Sequence, residues 1–162
     1  VRSPGRKPRA ALHAEPVAHS LPVSVLVVNY NGRRHLPACL SALETQTLPR
    51  HRFEVVLVDN ASRDGSAELV RERFPWVRLV ALRENVGFAE GNNVAARHAH
   101  GRRLALLNND TIPDPFWLEE LLRAADAAGG AAASKLVFAH DPTLVNSGGL
   151  TLLRDGRGAD LG

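Results

Sequence analysis

Four times along this chain a short apolar run, rich in β-branched residues, is followed by a segment whose apolar residues recur at helical spacing. The first run, Val23-Ser-Val-Leu-Val-Val-Asn29, lacks the apolar–polar alternation of a half-exposed strand and reads as a strand buried on both faces. Phe53 to Asp59, Val77 to Leu82 and Arg103 to Asn108 read as the second, third and fourth strands. Leu36, Leu40 and Leu43 set a helix from about Arg34 to Gln46, and Ala67, Val70 and Phe74 set one from Ser66 to Phe74. A third helix opens near Gly87, carries Phe88, Ala95, Ala96 and Ala99, and ends at Gly101. A fourth carries Leu118, Leu121, Leu122 and Ala125, with Pro113 and Pro115 in its opening turn. Such alternation predicts βαβ units and an α/β fold with a mainly parallel sheet and flanking helices. Ala132 to Phe138 reads as a fifth strand, and Asp155-Gly156 as a hairpin turn after the apolar stretch Leu150 to Leu153.

Each of the first four strands ends on a polar cluster: residues 29–32, 59–66, 84–93 and 108–111. In an open parallel sheet the carboxyl ends of the strands share one edge, where ligands bind. Four clusters far apart in sequence are therefore expected to converge on one ligand.

The length of 162 residues suits one domain with a real core. The sequence pI of 9.7 invites a nucleic-acid reading, but Arg2, Arg6, Lys7 and Arg9 against Glu15 carry the whole excess of +3. That Pro-rich segment, residues 1–21, reads as a disordered basic tail ahead of a folded unit at 22–162. The folded unit balances its charges and has no basic stripe, so nucleic acid is not an expected partner. No apolar run approaches the roughly 20 residues that span a bilayer, and the Arg-rich start lacks the apolar core of a secretory signal. Cys39 is the single cysteine and sits at a core position of the first helix, a buried thiol and not a nucleophile. The expected compartment is the cytoplasm. Any attachment to the inner face of the plasma membrane would come from a downstream part.

Each cluster admits a chemical and a structural reading. Tyr30 offers a flat ring for stacking on a base with Asn31 as a donor beside it, although Asn-Gly is also a common turn pair. Asp59, at the end of its strand, can accept from a pyrimidine N–H or ribose hydroxyls, whereas Ser62 and Asp64 to Ser66 suit a helix entry with an N-cap. Gly87 to Asn93 sits at a helix start, which favours an anion; the plainer alternative is a close-packed Gly face. Asp110 beside Asn108 and Asn109 can hold part of the shell of Mg²⁺ or Mn²⁺, or cap a helix. The first turn has neither Gly-x-Gly-x-x-Gly nor a Walker-type loop, which disfavours dinucleotide dehydrogenases and that class of NTPase.

Taken in order, Val-Asn-Tyr-Asn-Gly, Val-Asp-Asn-Ala-Ser-x-Asp-Gly-Ser, Glu-Asn-x-Gly-Phe-Ala-x-Gly-Asn-Asn and Leu-Leu-Asn-Asn-Asp-Thr resemble the family 2 glycosyltransferases of GT-A fold, from about Val23 to Gly149. The likeness is greatest to the rhamnosyltransferase-type branch that builds bacterial cell-surface polysaccharides. It implies a GT-A, Rossmann-like sheet, here truncated at its C-terminal side. It also implies inverting transfer of a sugar from a nucleotide-diphosphate donor, dTDP-rhamnose or a UDP-sugar, to a saccharide or lipid-linked acceptor. Tyr30 would pack on the base, Asp59 would hydrogen-bond it, and Gly91 and Asn92 would lie near ribose and diphosphate. The full donor-binding set is Tyr30, Asn31, Asp59, Asn60, Gly91, Asn92, Asn108 and Asn109. Asp110 takes the place of the last carboxylate of the family's Asp-x-Asp metal motif, while Asn108 stands where many members carry the first.

Inverting members use a carboxylate base in an acidic segment well downstream of that motif. None follows Gly149, so the base and the acceptor-binding part are expected beyond Gly162, and this chain alone is expected to transfer no sugar. The other readings are a sugar-phosphate nucleotidyltransferase, which should show a Gly-rich basic loop after the first strand, and an inactive nucleotide-sugar-binding fragment.

Overall fold

The computed structural model describes residues 21–147, 150–152 and 158–160. The strands β1 (Leu21–Asn29), β2 (Phe53–Asp59), β3 (Arg78–Ala81) and β4 (Gly101–Asn108) form one wholly parallel sheet in the order β3-β2-β1-β4. Between and after them lie α1 (Leu36–Glu44), α2 (Ser66–Arg73), α3 (Phe88–Arg97) and α4 (Trp117–Ala127). This is the expected α/β architecture.

The absence of alternation in β1 and β2 has the expected cause, because both faces of the sheet are covered. Val23, Val25 and Val27 of β1 and Phe53, Val55 and Leu57 of β2 pack against Leu36, Leu40 and Leu43 of α1, Val70 of α2 and Leu118 of α4. The opposite face is covered by α3, where Ala95 meets Leu26, Val56 and Val58. Each fully buried Val or Leu stabilises the fold by about 1.5–3 kcal/mol, so the sheet centre is its most strongly held part. Cover thins at β4, whose Leu104 and Leu106 are 47% and 59% exposed.

Register places the site. Asn29 is the partner of Asp59, Val28 of Asn108, and Asp59 also of Ala81. The chain steps from β1 to β2 to β3 in one direction and then crosses to β4 on the other side of β1. The topological switch point therefore falls between β1 and β4, where open α/β sheets place a crevice.

Several expectations need correction. Residues 136–138 do not extend the sheet: β5 (Leu136–Phe138) pairs antiparallel with β6 (Asp141–Ser147). Their apolar side chains are more than a third exposed, so burial in the main core never selected them. Pro113 and Pro115 precede α4, whose N-cap is Phe116, and do not sit in its first turn. The N-cap of α2 is Gly65 at φ 80°, while Asp64 accepts the Ser66 N–H from one position earlier. Strand β1 opens at Leu21, inside the segment read as tail; the rest of the tail and the Asp155-Gly156 turn lie outside the described residues. The strands expected to flank that turn pair antiparallel as β7 (Leu150–Leu152) and β8 (Gly158–Asp160). Among the described residues no helix is long and apolar enough to cross a membrane.

Candidate nucleotide-sugar site

Two adjoining hollows open at the carboxyl edge. One, of about 560 Å³, lies at the switch point and is lined by Val28, Tyr30, Asn85, Phe88, Asn108, Asn109 and Asp110, with Asn60 and Gly87 at its wall. The other, of about 400 Å³, is lined by residues 61–63, 82–85 and Tyr30. Tyr30, 53% exposed, borders both. Its ring is thus an open face between two cavities and not a turn filler.

Beneath Tyr30 runs a chain of buried amides and a carboxylate. Asn29, completely buried, donates from Nδ2 to Asp59 Oδ1 at 2.9 Å and to Ser62 Oγ at 3.2 Å. Its Oδ1 accepts from Asn109 Nδ2 at 2.7 Å. Asp59 is only 3% exposed, and its Oδ2 accepts the Ser62 N–H at 3.0 Å. It lies below the hollows and lines neither. Gly32 makes room for this chain, because a Cβ there would stand 2.2 Å from Asn109 Nδ2 and 2.5 Å from Asn29 Oδ1.

Other residues expected as donor ligands are tied to their neighbours. Asn31, at φ 50°, donates its N–H to Ser62 Oγ and accepts the Arg63 N–H on Oδ1, both at 2.9 Å. Asn60 is buried; its Nδ2 donates to Asn85 Oδ1 and to the Gly87 carbonyl, and its Oδ1 accepts the Val86 N–H. Gly91 presses on β1, where a Cβ would lie 2.9 Å from Val28 Cγ1. Asn92 turns its amide back to the Phe88 carbonyl at 3.0 Å and does not line the cleft. The close-packed Gly face is what the structure shows there. Among the described residues, the non-glycine positions in the left-handed region are Asn31 and Ala61, both at this edge. Such backbone costs about 1 kcal/mol or more apiece.

The helix-cap reading of Asp110 fails, since α4 begins only at Trp117 and Asp114 accepts the Phe116 N–H. Among the described residues the Asp110 carboxylate has no hydrogen bond or ion pair, and it is the single charged side chain lining the larger hollow. Behind it, Cys39 donates weakly to the Asn108 carbonyl at 3.8 Å. Burial, and then the negative charge of Asp110, push that thiol up to about 12, so it is no nucleophile.

The match to known proteins follows the same residues. Residues 24–148 fit the model of glycosyl transferase family 2. The chain belongs to that family. Among relatives, it is 40% identical over 113 residues to the succinoglycan biosynthesis protein ExoO of Rhizobium meliloti, covering 68% of this chain and 32% of ExoO. Among solved structures, S. aureus TarS (residues 1–349) in complex with UDP-GlcNAc superposes with a TM-score of 0.60 at 27% identity, over 66% of this chain and 32% of that one. The mannosyltransferase PcManGT of Pyrobaculum calidifontis, in complex with GDP-Man and Mn²⁺, superposes with a TM-score of 0.52 at 34% identity, over 57% and 28%. The chain spans about a third of the length of most of the curated relatives it matches, and a tenth of one.

Two residues of the polar clusters had no role of their own in the sequence reading. Phe88, read only as one of the apolar residues of α3, is 60% exposed and lines the cleft together with Tyr30. Its place directly after Gly87, at the helix N-terminus, was the available signal. Asn29 read as the end of the first strand and the start of a polar cluster, with nothing in its neighbours to show that it is buried.

The cleft residues suit a divalent cation. Asp110 supplies a hard carboxylate oxygen and Asn108 and Asn109 amide oxygens, the donor type that Mg²⁺ and Mn²⁺ take. Among the described residues no three His, Cys, Asp or Glu side chains gather to hold a metal alone, so phosphate and water would complete the shell.

Proposed function

We propose that this chain is the donor-binding part of an inverting glycosyltransferase that uses a nucleotide-diphosphate sugar and serves polysaccharide synthesis. The observation that carries this reading is the unpartnered Asp110 carboxylate beside the open Tyr30 ring at the β1/β4 switch point. The base stacks on Tyr30 in the smaller hollow, while Asp59 beneath it holds Asn29 and Ser62 in place. The diphosphate lies toward Asn108, Asn109 and Asp110, in the hollow that Phe88 also lines. The complexes of TarS with UDP-GlcNAc and of PcManGT with GDP-Man and Mn²⁺ support this class of donor and cation. The relationship to ExoO supports a saccharide acceptor.

A bound Mg²⁺ or Mn²⁺ supplies positive charge to the departing diphosphate. The chain's own residues hold the donor: Tyr30 by its ring, Asp110 and the neighbouring amides by oxygen donors, and the wall at Phe88 by excluding water. The acceptor hydroxyl attacks the anomeric carbon from the face opposite the diphosphate, its C–O bond forming as the glycosyl–phosphate bond breaks. Its proton goes to a carboxylate that we assign to the part of the enzyme outside this chain. A nucleotidyltransferase is disfavoured because the first turn has a single glycine, Gly32, and its Arg33 faces Asp64 and not the cleft.

Calorimetry of UDP, dTDP and GDP binding, with Mn²⁺ and then with EDTA, tests the reading. Binding of at least one nucleotide diphosphate that Tyr30→Ala weakens is the expected result. Failure of all three to bind in Mn²⁺ would overturn it.

A further inference from the structure

The direction of each hydrogen bond beneath the cleft is fixed by the chemistry at its far end. The Ser62 backbone N–H can only donate, and it donates to Asp59 Oδ2. The other oxygen of that carboxylate faces the Asn29 amide, which must therefore turn its NH₂ toward Asp59. That leaves the Asn29 carbonyl oxygen pointing the other way, at Asn109. Only an NH₂ can meet it, so Asn109 turns its nitrogen inward. The remaining terminal atom of Asn109, Oδ1, makes no hydrogen bond among the described residues, and Asn109 lines the cleft next to Asp110.

We infer that Asn29 is a positioning residue for the cation site. It holds Asn109 so that a carbonyl oxygen, and not an amide NH₂, stands in the cleft beside Asp110. That oxygen joins Asp110 as a second protein ligand for a divalent cation. The inference rests on the reading of this cleft as a cation-assisted donor site and adds how one amide is oriented there. An NH₂ in that place would repel a cation, so orientation decides whether the residue helps or hinders. The relay also ties the end of β2 to the end of β4 through β1, across sequence separations of 30 and 80 residues. Gly32 belongs to the same device, since any Cβ there would wedge into the Asn29–Asn109 contact.

The first test uses the unaltered protein. Side-chain amide and carbonyl NMR during a Mg²⁺ titration should show the Asn109 carbonyl carbon shifting together with the Asp110 carboxylate. The Asn109 NH₂ protons should stay slow to exchange throughout. An Asp110 shift without an Asn109 carbonyl shift, or rapid exchange of the Asn109 NH₂, would overturn the proposal.

The second test measures Mn²⁺ affinity by electron paramagnetic resonance on the folded protein, without nucleotide. Asn29→Ala and Gly32→Ala should each weaken Mn²⁺ by about tenfold or more, the usual consequence of losing a partner that orients a ligand. Asp110→Ala serves as the reference. If Asp110→Ala leaves Mn²⁺ binding unchanged, the cation reading of the cleft fails. If Asp110→Ala abolishes binding while folded Asn29→Ala and Gly32→Ala bind as the parent does, the relay alone fails.

Discussion

Asn60 Nδ2 donates to Asn85 Oδ1 at 2.9 Å, and through that contact the loop from Glu84 to Gly87 hangs from the end of β2. Both hollows depend on this loop, since Asn85 lines each of them. Asn60→Ala removes three hydrogen bonds at once and leaves the Val86 N–H without its acceptor. We expect a loss of about 2–3 kcal/mol in urea unfolding, together with weaker nucleotide binding. Unchanged stability would mean that the loop holds its shape by other means.

Gly91 and Asn92 are neighbours on α3 with opposite expected responses. Gly91→Ala gains up to about 1 kcal/mol of helix propensity, but its methyl would meet Val28 at 2.9 Å in the packed face. Overpacking of that kind costs about 1–3 kcal/mol, so the variant should be less stable. Asn92→Ala exchanges an exposed amide bonded only to its own helix for a better helix former, and should be neutral or stabilising by about 0.5 kcal/mol. Thermal unfolding distinguishes the two. Asn92→Ala should also bind nucleotide diphosphate as the parent does; a large loss there would restore Asn92 to the donor site.

Asp110→Ala should separate two parts of the ligand. With no cationic side chain lining the larger hollow, a diphosphate needs the charge of a bound cation. The variant should therefore lose UDP affinity in Mn²⁺ by at least tenfold while binding uridine nearly unchanged. Equal losses for both would place Asp110 against the nucleoside instead.

Acid should weaken the fold through Glu54, at the opposite edge of the sheet. Ser24 Oγ donates to its Oε1 at 2.7 Å, the His100 N–H at 2.5 Å, and the His100 ring stands 3.3 Å from Oε2. Burial pushes the Glu54 carboxyl up, but these hydrogen bonds and the His100 charge outweigh it and hold it below the ordinary value of 4.5. A carboxyl lowered in the folded state stabilises the fold above its unfolded pKa. That contribution is lost as pH falls from about 4.5 through the lower, folded-state pKa. Urea midpoints of the parent and Glu54→Gln should converge on acidification across that window. A constant difference would assign the effect to packing.

Much of this was written in the order of residues. The β-branched runs at 23–28 and 53–58 have no polar face to offer water, and they became the doubly covered strands β1 and β2. Residues 132–138 show why apolar character alone was insufficient there. The run looks like another core strand, yet what it pairs with depends on hairpin partners three to eleven residues away and on burial it does not receive. At the site, Tyr30 and Asp110 were legible because each stands at a strand end with no local task. Asn29, Asn31 and Asn60 were not separable by type: the same amide serves as a buried link, a loop brace and a hook, according to partners about 25 to 80 residues distant. Hydrogen-bond capacity is written in the residue, but the partner is chosen by the register between strands.

The central position of β1, bonded to β2 on one side and β4 on the other, bears on the energetics of recognition. The backbone leading into Asn29 and Tyr30 belongs to a ladder that opens only when the domain does, so its amides should be among the slowest to exchange with solvent. A ligand arriving at this edge meets a floor already frozen in shape. The entropy surrendered on binding is then mostly the ligand's own, and the protein enters the encounter preorganised.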